Sequence, residues 1–599
     1  MAVAEFLREG DLIFSNHRCH GHFLARTDDV EGLIAEVMGK RTGGRGGSQH
    51  LCQKGFFSNG IQGGIVPVSA GLALAQKIQS TGNIAVVFIG DGTLGEGAVY
   101  ETLNVASKWQ LPLLVVLENN FYSQSISQRE TLAGDICARA AAFGIETRTS
   151  TTSEPATLLD EVDDCIAIVR DESRPIFLRI DTYRLMAHSK GDDDRDKSEV
   201  QAHRERDPLT RFWETNPTEA KTALDAANQR IDVAVLVAEH ASFPELAINS
   251  QSCDRPTTTW SPVRVTQPDR AVTLMRDAFR RALQDDARVV FIGEDIESPY
   301  GGAFKATKGL SDEFPNRVRN TPISESLIVG LGNGLALAGM RPVCEIMFGD
   351  FLTLGADQWI NHASKFRSMY NEQVSVPLVV RTPMGGRRGY GPTHSQSLEK
   401  HFLGLPDTRM LAVNHRQDPG QLYDRLFASL DRPTLVIENK VLYGQRVLDE
   451  MPDGFVVEES DESFPTMRLR PEGVADLTIV CYGEMLREVE AAMLRAFDEH
   501  ELICEVLCPT QLYPLNVRPI LDSVSITRRL LVVEEGIGFA AFGAELIAQI
   551  QERAPESLRQ VRRLSSPEMP IPACAPLEKQ MLPHAESILL AVVEMMSHG

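Results

Sequence analysis

Short apolar runs without polar alternation recur along this chain and constrain its fold more than any other feature. They occupy positions 84–90, 113–118, 289–294, 377–381, 434–438, 477–483 and 530–535. Runs of this kind suit strands covered on both faces, as in parallel sheets. Amphipathic stretches follow them. The expected class is therefore α/β, with more than one open sheet in series. Two polar breaks divide the chain. We expect domains over 1–250, 269–448 and 474–599, with linkers over 251–268 and 449–473.

Charge and composition exclude several function classes. Lys plus Arg number 60 against 82 Asp plus Glu, a formal charge of −22. So acidic a chain repels phosphate backbones and anionic membrane surfaces, so nucleic acid is not an expected partner. No stretch reaches about 18 uninterrupted apolar residues, so no membrane span is expected. The first residues show neither a basic segment nor an apolar core, so no signal peptide is expected. The ten cysteines are scattered without a CxxC pair or zinc spacing. They read as reduced thiols in a cytoplasmic protein. The charged run 190–199 reads as solvated surface, with a mobile loop at an active-site mouth as the alternative.

The chemistry is concentrated in the first block. The run ending at Ile89 leads into Gly90-Asp91-Gly92, then a helical pattern, then a second apolar run ending in Glu118-Asn119-Asn120-Phe121-Tyr122. In a βαβ unit, Asp91 and Asn120 lie at adjacent C-terminal strand ends, where ligands bind. A carboxylate and an amide oxygen there suit a hard cation such as Mg²⁺ carrying phosphate oxygens. Glycines beside Asp91, Gly92 among them, let backbone approach a phosphate closely.

Gly90-Asp91-Gly92 with Asn119-Asn120 resembles the thiamine-diphosphate fingerprint. Its surroundings resemble the α subunit of 2-oxoacid dehydrogenase first, decarboxylating components. The matching segments are Gly46-Gly47-Ser48-Gln49-His50, Asn59-Gly60-Ile61-Gln62-Gly63 and Thr182-Tyr183-Arg184 with His188-Ser189. The second block resembles the β subunit of the same enzymes through Thr321-Pro322-Ile323-Ser324-Glu325, 339–345, Asp357-Gln358, His394-Ser395-Gln396 and Glu438-Asn439-Lys440. The third block resembles that subunit's C-terminal domain. The whole chain therefore looks like an α–β fusion. The resemblance implies two thiamine-diphosphate-binding-type open parallel sheets, a diphosphate domain then a pyrimidine domain, followed by a transketolase C-terminal-like α/β domain.

The resemblance also implies roles. Asp91, Asn120 and the main-chain carbonyl of Tyr122 would hold Mg²⁺. Arg18 and Arg184 would bind the diphosphate, as an arginine fork suits phosphate oxygens. Gly60 and Gln62 would line the aminopyrimidine through their backbone, and Phe351 would form an aromatic wall. Glu325 would share a proton with the aminopyrimidine ring nitrogen and so prepare the cofactor to attack a ketone. His188 and His394 would orient substrate and move protons. His17 stands where the family has Tyr, and Gln62 where it has an apolar residue. The implied reaction is decarboxylation of a 2-oxoacid, with the acyl unit passed to a lipoyl domain or another carrier thiol. A transketolase-like or acyloin-type carboligase using the same cofactor is the alternative. A homodimer with its sites at domain interfaces is expected.

Overall fold

The first sheet runs in spatial order Cys52–Gln53, Phe56–Ser58, Leu12–Ser15, Ala85–Gly90, Leu113–Asn119, Ile176–Asp181, Glu146–Thr151. This computed structural model describes residues 1–40, 49–189, 191, 193–245, 258–265, 268–447 and 450–597. Gly46-Gly47-Ser48, Cys253 and positions 251–257 and 266–267 of the expected first linker lie outside the described residues. Every pairing in this sheet is parallel except that of the short Cys52–Gln53 edge strand. The central strands Ala85–Gly90 and Leu113–Asn119 are buried along nearly their whole length. This is the arrangement their unbroken apolar runs require, because helices cover both faces of a parallel sheet.

Contacts divide the chain into two compact units. The first comprises Met1–Ala247, Ser326–Met340 and Asp357–Val376. The second comprises Ile248–Glu325, Arg341–Ala356 and Pro377–Gly599. Two segments expected in the pyrimidine domain thus group with the first unit. Ile65–Gln79 shows why. This helix is buried from Ile65 to Gln76 without a polar face, so it needs cover on all sides. Residues of Glu325–Leu337 supply part of that cover at very close range. A Cβ at Gly71 would lie 2.3 Å from the Leu331 carbonyl oxygen, and one at Gly334 would lie 1.9 Å from that of Val68. Glycine is the residue that lets these two backbones touch.

The second unit holds two further seven-stranded sheets. One orders Val318–Asn320, Val289–Gly293, Arg341–Glu345, Val379–Met384, Thr434–Asn439, Arg409–Ala412 and Gln511–Tyr513. It is parallel except at the last strand. Arg381 is fully buried in its middle, between Glu345 and Glu438. Tyr423 and Tyr443 hydroxyls also donate to Glu438, so the charges are satisfied without water. The other sheet is mixed, in the order Gln560–Ser566, Arg529–Ile537, Leu477–Val480, Cys504–Pro509, Thr466–Pro471, Phe455–Ser460, Trp260–Pro262.

That third sheet changes the reading of the linkers. Phe455–Ser460 and Thr466–Pro471, inside the polar stretch expected to be linker, pair antiparallel with each other. Trp260–Pro262, from the first expected linker, adds an edge strand beside them. Phe455–Ser460 and Thr466–Pro471 are paired on both sides but only partly buried, so their Asp, Glu and Pro content mimics a loop. Among the described residues no helix is long and apolar enough to cross a membrane.

Candidate active site

Gly90 lies opposite Glu118 in the parallel pair formed by Ala85–Gly90 and Leu113–Asn119. The C-terminal ends of these strands are therefore neighbours, joined through the crossover helix Gly97–Lys108. Asp91 begins the turn Asp91–Gly95 at the first end and is 2% exposed. Burial raises its carboxyl above the usual range, against the hydrogen bond that Gln128 donates. A Cβ at Gly92 would sit 3.1 Å from the Ser123 Cβ, so the two strand-end turns are in contact.

The second end turns sharply. Phe121 takes a left-handed φ of 66°, an outlier for a bulky residue and a mark of a constrained site. The Asn120 Oδ1 accepts the Tyr122 amide at 2.9 Å. Gln128 ties both turns together. Its Nε2 donates to Asp91 Oδ2 at 2.8 Å and to Asn119 Oδ1 at 2.5 Å, and its amide donates to the Phe121 carbonyl at 2.8 Å. Nothing in the sequence pattern marked Gln128. Asp91 carboxylate, Asn120 amide oxygen and Tyr122 carbonyl thus belong to two touching turns. Among the described residues no basic side chain contributes to the shift of Asp91. Hard oxygens around a buried carboxylate without a resident countercharge fit Mg²⁺.

His17, Gln62 and Thr93 link Arg18 and His188 to the Asp91 turn. Arg18 follows Leu12–Ser15, and its Nη2 donates to the His188 carbonyl at 2.8 Å. The His17 and His188 rings lie 6.2 Å apart. His17 also hydrogen-bonds Gln62, and Gln62 Oε1 accepts from Thr93 Oγ1 at 3.1 Å. The two positions at which the chain departs from the family pattern are each other's partners. Burial first, then Arg18 and His188, hold the His17 imidazole below its ordinary value. Gly60 lies close to Gln49, where a Cβ would come within 3.0 Å of the Gln49 Oε1. His22 is satisfied by Ser15 at 2.8 Å and Glu118 at 2.9 Å.

The charged run is more than solvated surface. The Arg195 side chain is 2% exposed and paired to Asp193 at 2.7 Å. Its guanidinium donates to the carbonyls of Arg184 at 2.6 Å and Met186 at 3.0 Å. It also lies over the rings of Tyr122, at 5.5 Å, and Tyr183, at 5.0 Å. Both tyrosine hydroxyls donate to Glu199. Arg184 itself reaches the Gln124 carbonyl at 2.9 Å. One arginine thereby fastens the segment carrying Arg184 and His188 to the turn carrying Tyr122.

Within the second unit, Glu325 is 6% exposed and opens the helix Glu325–Leu337. Glu294 follows Val289–Gly293 and is 7% exposed. Burial, then the charge of Glu325, push the Glu294 carboxyl up to about 7. The sequence reading did not single out Glu294. The His394 ring meets Phe351 edge-on at 5.1 Å and Phe348 at 5.0 Å, so Phe351 and His394 share one aromatic corner. Phe348 was likewise missed, since an aromatic in an apolar context carries no chemical signal.

Comparison with known proteins places these features in a family context. Residues 1–238 match the dehydrogenase E1 component family, 271–445 the transketolase pyrimidine binding domain, and 467–588 the transketolase C-terminal domain. The pyruvate dehydrogenase E1 component subunit beta of Rickettsia bellii is 32% identical over 53% of this chain and 95% of that protein. The mitochondrial subunit beta-1 of Arabidopsis thaliana is 33% identical over 53% of this chain and 87% of that protein. The subunit alpha of Rickettsia prowazekii is 34% identical over 41% of this chain and 79% of that protein. Among solved structures, transketolase from Leishmania mexicana superposes with a TM-score of 0.65 at 14% identity, covering 100% of this chain and 90% of that one. At that identity the likeness speaks to the fold.

Proposed function

We propose a substrate and an acceptor from one premise: this chain belongs to the dehydrogenase E1 component family, with α-type and β-type portions joined in one polypeptide. It is a thiamine-diphosphate-dependent first component of a 2-oxoacid dehydrogenase. The substrate we assign is a 2-oxoacid of the pyruvate class, after the relatives named for pyruvate. The acceptor we assign is a lipoyl domain. We further assign Mg²⁺ as the bridging ion, a homodimer with its sites at domain interfaces, and a cytoplasmic location. The free cysteines among the described residues support a reducing compartment.

Bound thiamine diphosphate would supply an electron sink for the bonding pair that the departing carbon dioxide leaves on the former 2-oxo carbon. The protein supplies binding, orientation and proton management. Arg18 and Arg184 take the diphosphate oxygens, and Asp91, Asn120 and the Tyr122 carbonyl hold the metal. Gly60 and Gln62 present backbone to the aminopyrimidine. Glu325, a buried carboxylate, would share a proton with that ring's nitrogen. His188 and His394 deliver protons as the acyl unit departs, and Phe351 walls the pocket.

The observation that carries this reading is the contact between the Asp91 and Asn120 turns, cross-tied by Gln128. The test is to incubate the purified chain with thiamine diphosphate, Mg²⁺ and a panel of 2-oxoacids and ketoses. Dye reduction with carbon dioxide release from a 2-oxoacid is the expected result. Ketol transfer between sugars or aldehydes, without dye reduction, would establish a carboligase instead.

A further inference from the structure

We propose that the C-terminal domain takes part in acyl transfer by setting the conformation of the loop that carries His394, through Glu535 and Glu578. The inference rests on the role assigned to His394 above.

The loop leaves Val379–Met384 at Gly385 and reaches His394 without regular structure. Four of its residues are left-handed, with φ of 94° at Gly385, 70° at Arg387, 70° at Gly389 and 78° at Gly391. Left-handed residues at such spacing turn successive amides toward one side and form a concavity for anions. Two carboxylates fill that concavity. Glu578 accepts the Arg387 amide at 2.8 Å and the Gly389 amide at 3.1 Å, one on each oxygen. Glu535 accepts the Gly386 amide at 2.8 Å and the Ser397 hydroxyl at 3.0 Å on a single oxygen. Glu535 lies on Arg529–Ile537 and Glu578 on Ala575–Met581, both within the C-terminal domain. They are 6% and 3% exposed, so water does not compete for the amides.

The carbonyls at the two ends of the loop are held by a cation. Lys440 is fully buried and follows Thr434–Asn439. Its ammonium donates to the carbonyl of Gly385 at 2.5 Å and to that of His394. One lysine thus joins the first residue of the loop to the catalytic candidate at its end. Arg388 returns the tie by donating to the Lys440 carbonyl at 3.0 Å. The His394 ring is then held between Phe348 and Phe351, with Nδ1 2.9 Å from Thr393 Oγ1. Amides bonded to carboxylates and carbonyls bonded to an ammonium are the strong class of hydrogen bond. A loop rich in glycine has many conformations to lose, and these bonds select one. Glu535, Glu578 and Lys440 are positioning residues: they act on the acceptor through His394.

The experiment uses the full chain as Glu578→Ala, His394→Ala and the double variant. Lys440→Met serves as a second single variant that removes the ties to the loop's carbonyls. Acyl transfer to a lipoyl domain is measured beside dye-coupled decarboxylation, with hydrogen–deuterium exchange over 385–397. We expect Glu578→Ala to lower acyl transfer about 10–100-fold and decarboxylation by less than about 3-fold. In the His394→Ala background the same change should cost nothing further, and exchange should rise within the loop. Full additivity with His394→Ala, or unchanged loop exchange, would overturn the proposal. So would normal acyl transfer by a Glu578→Ala chain that still decarboxylates. An unmodified chain without any cofactor-dependent decarboxylation would overturn the functional reading, and this one with it.

Discussion

Glu294 stands in the field of Glu325, whose charge adds to burial in holding the Glu294 carboxyl up. Burial and then the Glu325 charge raise Glu294 to about 7. A raised carboxyl favours the folded chain in its protonated form. That contribution is complete below the unfolded value near 4.5 and is lost as pH rises through about 7. Glu294→Gln should therefore be more stable than the parent at about pH 8 by on the order of 2–3 kcal/mol, with the difference vanishing near about pH 4. Denaturation midpoints at both pH values check it. Equal stability at alkaline pH would show that Glu294 stays solvated.

Asp91 presents the carboxylate of the proposed metal site and has only amide donors around it. Asp91→Ala should abolish binding of thiamine diphosphate in the presence of Mg²⁺. The loss should exceed the roughly 10–100-fold typical of residues that merely orient a ligand. Calorimetry showing parental affinity would defeat the assignment.

Arg195 binds two carbonyls, one carboxylate and two ring faces at once. A planar fork is needed for that set, and an ammonium cannot reproduce it. Both Arg195→Met and Arg195→Lys should weaken cofactor affinity about 10-fold or more by releasing Arg184 and His188. Titration of the apo chain, with limited proteolysis across 184–197, measures the effect. Full rescue by lysine would reduce the contact to simple charge.

Gly334 meets Val68 backbone where a Cβ would approach to 1.9 Å. No side-chain rotation relieves a clash with backbone. Gly334→Ala should cost about 1–3 kcal/mol, the usual range for overpacking, and Gly334→Val more. Thermal unfolding checks this, and Gly339→Ala, whose Cβ would meet open space but at φ of 83°, separates steric from backbone strain.

Much of the sheet content was legible because fully buried strands write their environment directly into sequence. The unbroken apolar run at 113–118 became the buried strand Leu113–Asn119, and the Asp91 and Asn120 turns followed its register. The strands at 455–471 were not legible, because antiparallel strands with one face partly exposed carry the polar residues of loops. Arg195 was hidden for a related reason: a charged run looks solvated until its aromatic partners are in place.

Local pattern alone determined the α/β class, the order of three sheet-forming blocks, and the residue types suited to a metal-bound diphosphate. Those properties depend on neighbours a few positions away and on which face of a strand is covered. Tertiary structure alone decided that Gln128 ties Asp91 to the Phe121 turn, that His17 partners Gln62, and that Glu578 cradles the amides behind His394. A hydrogen bond between residues far apart in the chain leaves no periodic trace, since its direction exists only once both backbones are fixed in space.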